Sequence, residues 1–207
     1  MMEAIPTVFV VDDDQAVRNA LELLLETAQL RTESYASADA FLAACDPDRP
    51  GCLVLDIRMP GTSGMRLQQM LAARNIILPV IFLTGHGNVP MSAQAFRRGA
   101  IDFMEKPFDE DMLLERIQEA IGQDRENRHA LARQAEAKAR LAALTPRECE
   151  VMWLVVAGKA NKEIAIELNL SNRTVETHRG RIMEKTGARS LADLIALTRS
   201  SGRSIPA

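Results

Sequence analysis

The 207-residue chain predicts two domains of different class, an α/β domain on a doubly wound five-stranded parallel sheet and, beyond a helical linker, an all-α domain of four helices. Three observations carry this expectation. Up to about residue 122, short β-branched apolar runs alternate with stretches of helical periodicity. That alternation suits a parallel sheet covered on both faces and joined by right-handed crossovers. Beyond it the strand signal stops and only helical periodicity remains. The charge also changes sign: −8 over residues 1–122, +2 over 123–143 and +3 over 144–207, within a net charge of −3. An acidic front and a mildly basic back suggest different partners, and the expected borders are accordingly 4–122, 123–143 and 144–207.

Composition excludes other classes. No run of about 18 apolar residues occurs, so no membrane span is expected. Met1 to Pro6 lacks the basic region and apolar core of a secretory signal. Cys45, Cys52 and Cys149 are scattered, without metal-ligand spacing, and suit reduced thiols in a cytoplasmic protein.

In order, Thr7–Val11 reads as a buried strand stopping on Asp12-Asp13-Asp14. A helix follows with Ala16, Val17, Ala20, Leu21, Leu24 and Leu25 on one face and Asp14 as its cap. Thr32–Tyr35 is a short strand, and Ser37 caps a helix through Leu42. The Pro- and Gly-containing stretch Asp46–Gly51 is a loop. Cys52–Leu55 is a second buried strand ending on Asp56, followed by a helix from Gly64 to Ala73. Pro79–Leu83 ends at Thr84, and a helix spans Val89–Arg98 with Gly99 after it. Ile101–Met104 ends near Lys106, and Asp109 caps a last helix carrying Met112, Leu113, Ile117 and Ile121.

In a parallel sheet all the strand C-termini lie on one edge, where ligands bind. Asp12, Asp13, Asp56, Thr84 and Lys106 therefore converge. Taken singly, these are a capping turn, loop residues and a solvated charge. Together they gather three carboxylates that repel one another unless a hard cation joins them, and Mg²⁺ favours such oxygen ligands together with phosphate. An aspartate beside Mg²⁺ can attack a phosphoryl group, with a lysine and a hydroxyl to steady its oxygens.

Val10-Val11-Asp12-Asp13-Asp14, Leu55-Asp56-Ile57-Arg58-Met59-Pro60, Leu83-Thr84-Gly85-His86-Gly87 and Glu105-Lys106-Pro107-Phe108 closely resemble the receiver domains of two-component response regulators, with a CheY-like fold. The resemblance implies that Asp56 accepts phosphate from a sensor histidine kinase. Asp13, Asp56 and the Arg58 backbone carbonyl would bind Mg²⁺, with Asp12 acting through water. Lys106 would contact the phosphate, and the Lys106–Pro107 bond would be cis. Thr84 and Phe103 match the switch pair that repacks the Val89–Arg98 helix, the fifth strand and the last helix, the usual dimerisation surface, although plain core packing also explains Phe103. Arg58 and His86, each two residues beyond a site residue, are candidates for gating water.

Residues 123–143 contain no Pro or Gly and are rich in strong helix formers, so they predict a helical spacer. Ile117, Ile121, Leu131, Leu141 and Leu144 hint at an apolar stripe interrupted around Gly122. A short coiled coil between protomers and a solvated single helix both suit it.

In the back domain Thr145, Pro146 and Glu148 form a capping-box signature. The helix they open turns Val151, Leu154 and Val155 inward, and a second, Asn161–Leu168, buries Ile164, Ala165 and Leu168. Ser171 caps a third helix with Val175, Ile182 and Met183 inward, and a fourth from Ser190 adds Leu191, Leu194 and Ile195. Two short helices with a tight turn, the second rich in Arg and Thr, fit a helix-turn-helix, although a small bundle with a solvated basic face fits too. Leu144–Glu148, Asn161–Ala165 and Leu170–Arg179 resemble LuxR/NarL-type DNA-binding domains. The resemblance makes Lys162, Arg173, Thr174, Glu176, Thr177, His178, Arg179, Arg181 and Lys185 the candidate DNA residues. Gly180 stands where relatives carry a polar or basic side chain.

The order of parts is similar to the FixJ/NarL class of transcriptional regulators. It implies a phosphorylation-activated regulator with Mg²⁺ as cofactor. Its partners would be a sensor histidine kinase, double-stranded promoter DNA, a second copy of the chain and, at the promoter, RNA polymerase. Two rivals stay open: an aspartyl-nucleophile phosphatase, for which Arg58 stands where a second Asp is usual, and a DNA-binding protein indifferent to phosphorylation.

Overall fold

The apolar runs Thr7–Val11 (β1), Gly51–Asp56 (β3) and Val80–Thr84 (β4) are buried along their whole length, as central strands covered on both faces must be. With Arg31–Tyr35 (β2) and Asp102–Glu105 (β5) they form, among the described residues, a five-stranded sheet of order β2-β1-β3-β4-β5. Every pairing is parallel. The computed structural model describes residues 5–85 and 100–202. The helix expected over Val89–Arg98, with Gly99 and His86, lies outside them.

Strand alternation sends side chains to two cores. On one face Phe9, Val11, Leu53, Leu55 and Phe82 pack with Phe41 of α2 (Ala38–Ala44) and with Leu67 and Leu71 of α3 (Gly64–Ala73). On the other, Val8, Val10, Val54, Ile81 and Leu83 pack against α1 (Gln15–Thr27) and α4 (Glu110–Ala142). The polar caps are in place: Asp14 accepts from Ala16 N, Ser37 from Ala40 N and Asp109 from Met112 N.

One helical face is corrected. The buried stripe of α1 is Arg18, Leu21 and Leu25, whereas Ala16 and Ala20 are exposed. An arginine can occupy that face because its guanidinium finds acceptors there, described below. The helical spacer expected after residue 122 continues the last receiver helix, since α4 runs unbroken for 33 residues. The chain divides into two compact units between Arg128 and His129, within α4.

The first part of the expected spacer is fastened to the α/β unit. Asp124 is buried, and its Oδ2 accepts from the Gly51 amide at 2.9 Å and from Arg128 Nε at 2.8 Å. The Arg128 guanidinium also donates to the carbonyls of Arg49 at 2.7 Å and Pro47 at 3.1 Å. Gly51 is required at this junction, since its φ is +150° and a Cβ would fall 1.8 Å from the Thr7 carbonyl oxygen.

In the second unit Leu141 of α4 joins α5 (Pro146–Val156), α6 (Asn161–Glu167), α7 (Asn172–Thr186) and α8 (Leu191–Ser200) around one core. Val151, Met152, Val155, Ile164, Val175, Ile182 and Leu194 are buried in it. The Thr145–Glu148 capping box is present, and Ser171 caps α7. Leu191, expected inside, is 41% exposed. It is the first residue of α8, beside the Ser190 cap, and the first turn faces outward. Among the described residues no helix is long and apolar enough to cross a membrane.

Candidate functional site

The strand order reverses between β1 and β3, and a parallel sheet opens its ligand crevice at such a switch point, beyond the strand C-termini. Asp12 follows β1 and Asp56 ends β3, on neighbouring strands paired in register at Val11 and Leu55. Both carboxylates are buried, with 2% and 7% of the residue exposed, while Asp13 is exposed. Lys106, just past β5, bridges them: its Nζ lies 2.6 Å from Asp12 Oδ2 and 2.9 Å from Asp56 Oδ1. The remaining oxygens are also engaged. The Asp14 amide donates to Asp12 Oδ1 at 2.9 Å, and the Arg58 amide to Asp56 Oδ2 at 2.6 Å.

Burial pushes the Asp56 carboxyl above its usual range, opposed by the Lys106 ammonium and reinforced by the charge of Asp12. Burial works against the Lys106 charge too, but the hydrogen bonds to Asp12 and Asp56 outweigh it and raise that group above its ordinary value. The crevice is thus an acidic pair held together by one ammonium.

Backbone geometry builds this pair. The Lys106 amide donates to the Thr84 carbonyl at 2.7 Å, and the Lys106–Pro107 bond is cis. Gly64 starts α3 against the end of β3. Its amide donates to the Ile57 carbonyl at 3.0 Å, and a Cβ there would lie 2.2 Å from the Asp56 carbonyl oxygen. Thr84 is fully buried at the end of β4. It shares a sheet face with Phe82, which pairs with Phe103. Phe103 is half-buried against that core.

Among the described residues no three His, Cys, Asp or Glu side chains are gathered to hold a metal by themselves. The donors present, two carboxylates with exposed Asp13 beside them and a lysine to meet phosphate, fit Mg²⁺, which keeps waters and shares phosphate oxygens.

In the helical unit, Lys162, Arg173, Glu176, Thr177 and Arg181 are exposed, as is Gly180. Other candidates are engaged within the unit. Arg179 Nη1 donates to Asn161 Oδ1 at 3.0 Å, and Thr174 Oγ1 shares a hydrogen bond with Ser171 Oγ at 2.7 Å. Lys185 Nζ donates to buried Glu148 at 2.7 Å. His178 is half-buried, and its Nδ1 is buried without a hydrogen-bond partner.

Sequence reasoning missed several supporting residues. Arg18 Nη1 donates to the Asp12 carbonyl at 2.6 Å, and its Nη2 to Gln15 Oε1. A charge at the 3- and 4-residue spacing of Leu21 and Leu25 was the available signal. Lys185–Glu148 and the Arg147 bond to the Leu168 carbonyl join positions 37 and 21 residues apart, which no local pattern marks.

A buried aspartate at the switch point of such a sheet, with a helix-turn-helix on a separate unit, defines a class of protein that carries a chemical mark on one unit and reads DNA with the other. Residues 8–118 match the response regulator receiver domain, and residues 142–198 match the bacterial regulatory proteins of the luxR family. The chain belongs to the response regulators with a LuxR-type DNA-binding domain, and it is a transcriptional regulator of the FixJ type. It is 44% identical to Nodulation protein W of Bradyrhizobium diazoefficiens over 94% of this chain and 86% of that protein. It is 42% identical to the transcriptional regulatory protein FixJ of Azorhizobium caulinodans, over 98% and 95%. The solved structure of the response regulator StyR superposes with a TM-score of 0.86 at 44% identity, covering 95% of this chain and 99% of that one. Receiver domains generally bind Mg²⁺ at the phosphorylation site.

Proposed function

We propose that Asp56 is the phosphoryl acceptor and that its phosphorylation by a sensor histidine kinase promotes receiver dimerisation and promoter binding. The observation that carries this reading is the buried Asp56 carboxylate, bridged by Lys106 to Asp12. An oxygen of Asp56 attacks the phosphorus of a phosphohistidine; the P–O bond forms as the P–N bond breaks, and the imidazole leaves with a proton. Asp13, Asp56 and the Arg58 carbonyl would hold Mg²⁺, with Asp12 acting through water, and the ion would neutralise the phosphoryl oxygens. Lys106, released from its bridge, contacts those oxygens. Thr84 then moves toward the acceptor and Phe103 turns inward on the face they share.

Dimerisation pairs two α7 helices on adjacent half-sites, so that a weak contact becomes bivalent and tighter through effective concentration. Arg173, Thr177, Arg181 and Lys162, exposed with Glu176, are the DNA contacts this reading favours. Arg179 and Lys185 hold the reading helix on its neighbours, Thr174 supports its Ser171 cap, and His178 meets the phosphate backbone through its outer edge. The protein works in the cytoplasm, beside RNA polymerase.

The test is acetyl phosphate with Mg²⁺ on the full chain, read by intact mass and light scattering. One phosphoryl group and a shift to dimer are expected for wild type, and neither for Asp56→Asn. Equal labelling of Asp56→Asn would overturn the acceptor assignment. Duplex binding of equal strength with and without label would favour a phosphorylation-independent regulator.

A further inference from the structure

Arg18 is a buried charge of the α/β unit that the proposed chemistry does not use. It lies on the core face of α1, 7% exposed, and makes no ion pair among the described residues. Burying a guanidinium without a carboxylate is costly, so what it does make is informative. Its Nη1 donates to the Asp12 carbonyl at 2.6 Å, and its Nη2 donates to Gln15 Oε1.

That carbonyl sits where β1 ends. The Asp12 amide still follows the sheet, donating to the Tyr35 carbonyl at 3.2 Å, while its carbonyl accepts from the Arg18 guanidinium. Arg18 therefore takes over as β1 leaves the ladder. With Asp12 Oδ1 taken by the Asp14 amide and Oδ2 by Lys106, Asp12 is fixed from three sides. Asp13, the next residue and the exposed carboxylate of the crevice, leaves the chain in a direction set by this clamp.

We infer that Arg18 is a positioning residue for divalent-cation binding, acting through the Asp12 carbonyl to place Asp13. The inference rests on the reading of the crevice given above. Its guanidinium also offsets the mutual repulsion of the acidic residues from the protein side, leaving the solvent side open to the cation.

The experiment measures Mn²⁺ binding to the full, unphosphorylated chain by electron paramagnetic resonance. It is paired with the Mg²⁺ dependence of acetyl-phosphate labelling. Arg18→Ala is expected to weaken Mn²⁺ binding by roughly tenfold, the lower range for loss of an outer support of a metal ligand. It raises the Mg²⁺ needed for half-maximal labelling while the rate at saturating Mg²⁺ stays near wild type. Arg18→Lys, which keeps one charged donor, restores part of the affinity and also serves if Arg18→Ala does not fold. In an Asp13→Asn background the Arg18→Lys defect disappears. Mn²⁺ affinity within twofold of wild type for a folded Arg18→Ala or Arg18→Lys overturns the inference and leaves the crevice reading standing. Failure of wild type itself to bind Mn²⁺ overturns that reading and this inference together.

Discussion

Lys106 shows how one side chain can make an acidic crevice tolerable. It holds Asp12 and Asp56 at 2.6 and 2.9 Å, and without it two buried carboxylates would face each other. Lys106→Ala is expected to lower receiver stability by about 1.5–3 kcal/mol, the range for losing hydrogen bonds to charged groups. Mg²⁺ should recover part of that loss, a difference visible in urea unfolding followed by circular dichroism with and without the ion. Gly64 is the second sensitive residue. An added methyl would meet the Asp56 carbonyl oxygen at 2.2 Å, and relieving it must move either α3 or the acceptor's own backbone. Gly64→Ala should cost roughly 1–3 kcal/mol and slow acetyl-phosphate labelling. Unchanged labelling in a destabilised variant would show that α3 yields instead.

The elements add what single residues cannot. Gly122 sits inside α4 with open space around it, so Gly122→Ala should stabilise the chain by about 0.5–1 kcal/mol through helix propensity. The α5 cap is tied to α7 through Glu148, which receives the Lys185 ammonium and the Thr145 amide. The hydrogen bond from Lys185, then that from Thr145, pulls the Glu148 carboxyl from 4.5 to about 2. A group with a depressed folded value contributes stability that is complete above its unfolded value and is lost as the pH falls through the folded one. Wild type should therefore lose this contribution between pH 4.5 and about 2, and Glu148→Gln should lack that component of acid sensitivity. Trp153, the only tryptophan, packs against this core and reports its unfolding by fluorescence.

Over the whole molecule, the packing falls into separate cores for the two units. Gly64→Ala should accordingly lower the receiver transition seen by circular dichroism while leaving the Trp153 transition in place. A common shift of both would mean that the units unfold as one. Much of this architecture was legible along the chain. Unbroken apolar runs such as Cys52–Leu55 carry their own burial, and the caps at Asp14, Ser37, Thr145 and Ser171 act within a few residues. Parallel pairing then brings Asp12, Asp56 and Lys106 to one edge, so the crevice was legible as well. The α1 stripe was misread because a hydrophobic pattern passes over a charged residue. The clamps lay beyond reach for another reason. Arg128 on the Arg49 carbonyl, Lys185 on Glu148 and Gly64 against Asp56 depend on approaches between distant backbone segments. Periodicity and capping are local properties that a sequence displays, whereas the satisfaction of a buried charge depends on which distant group the fold brings to it.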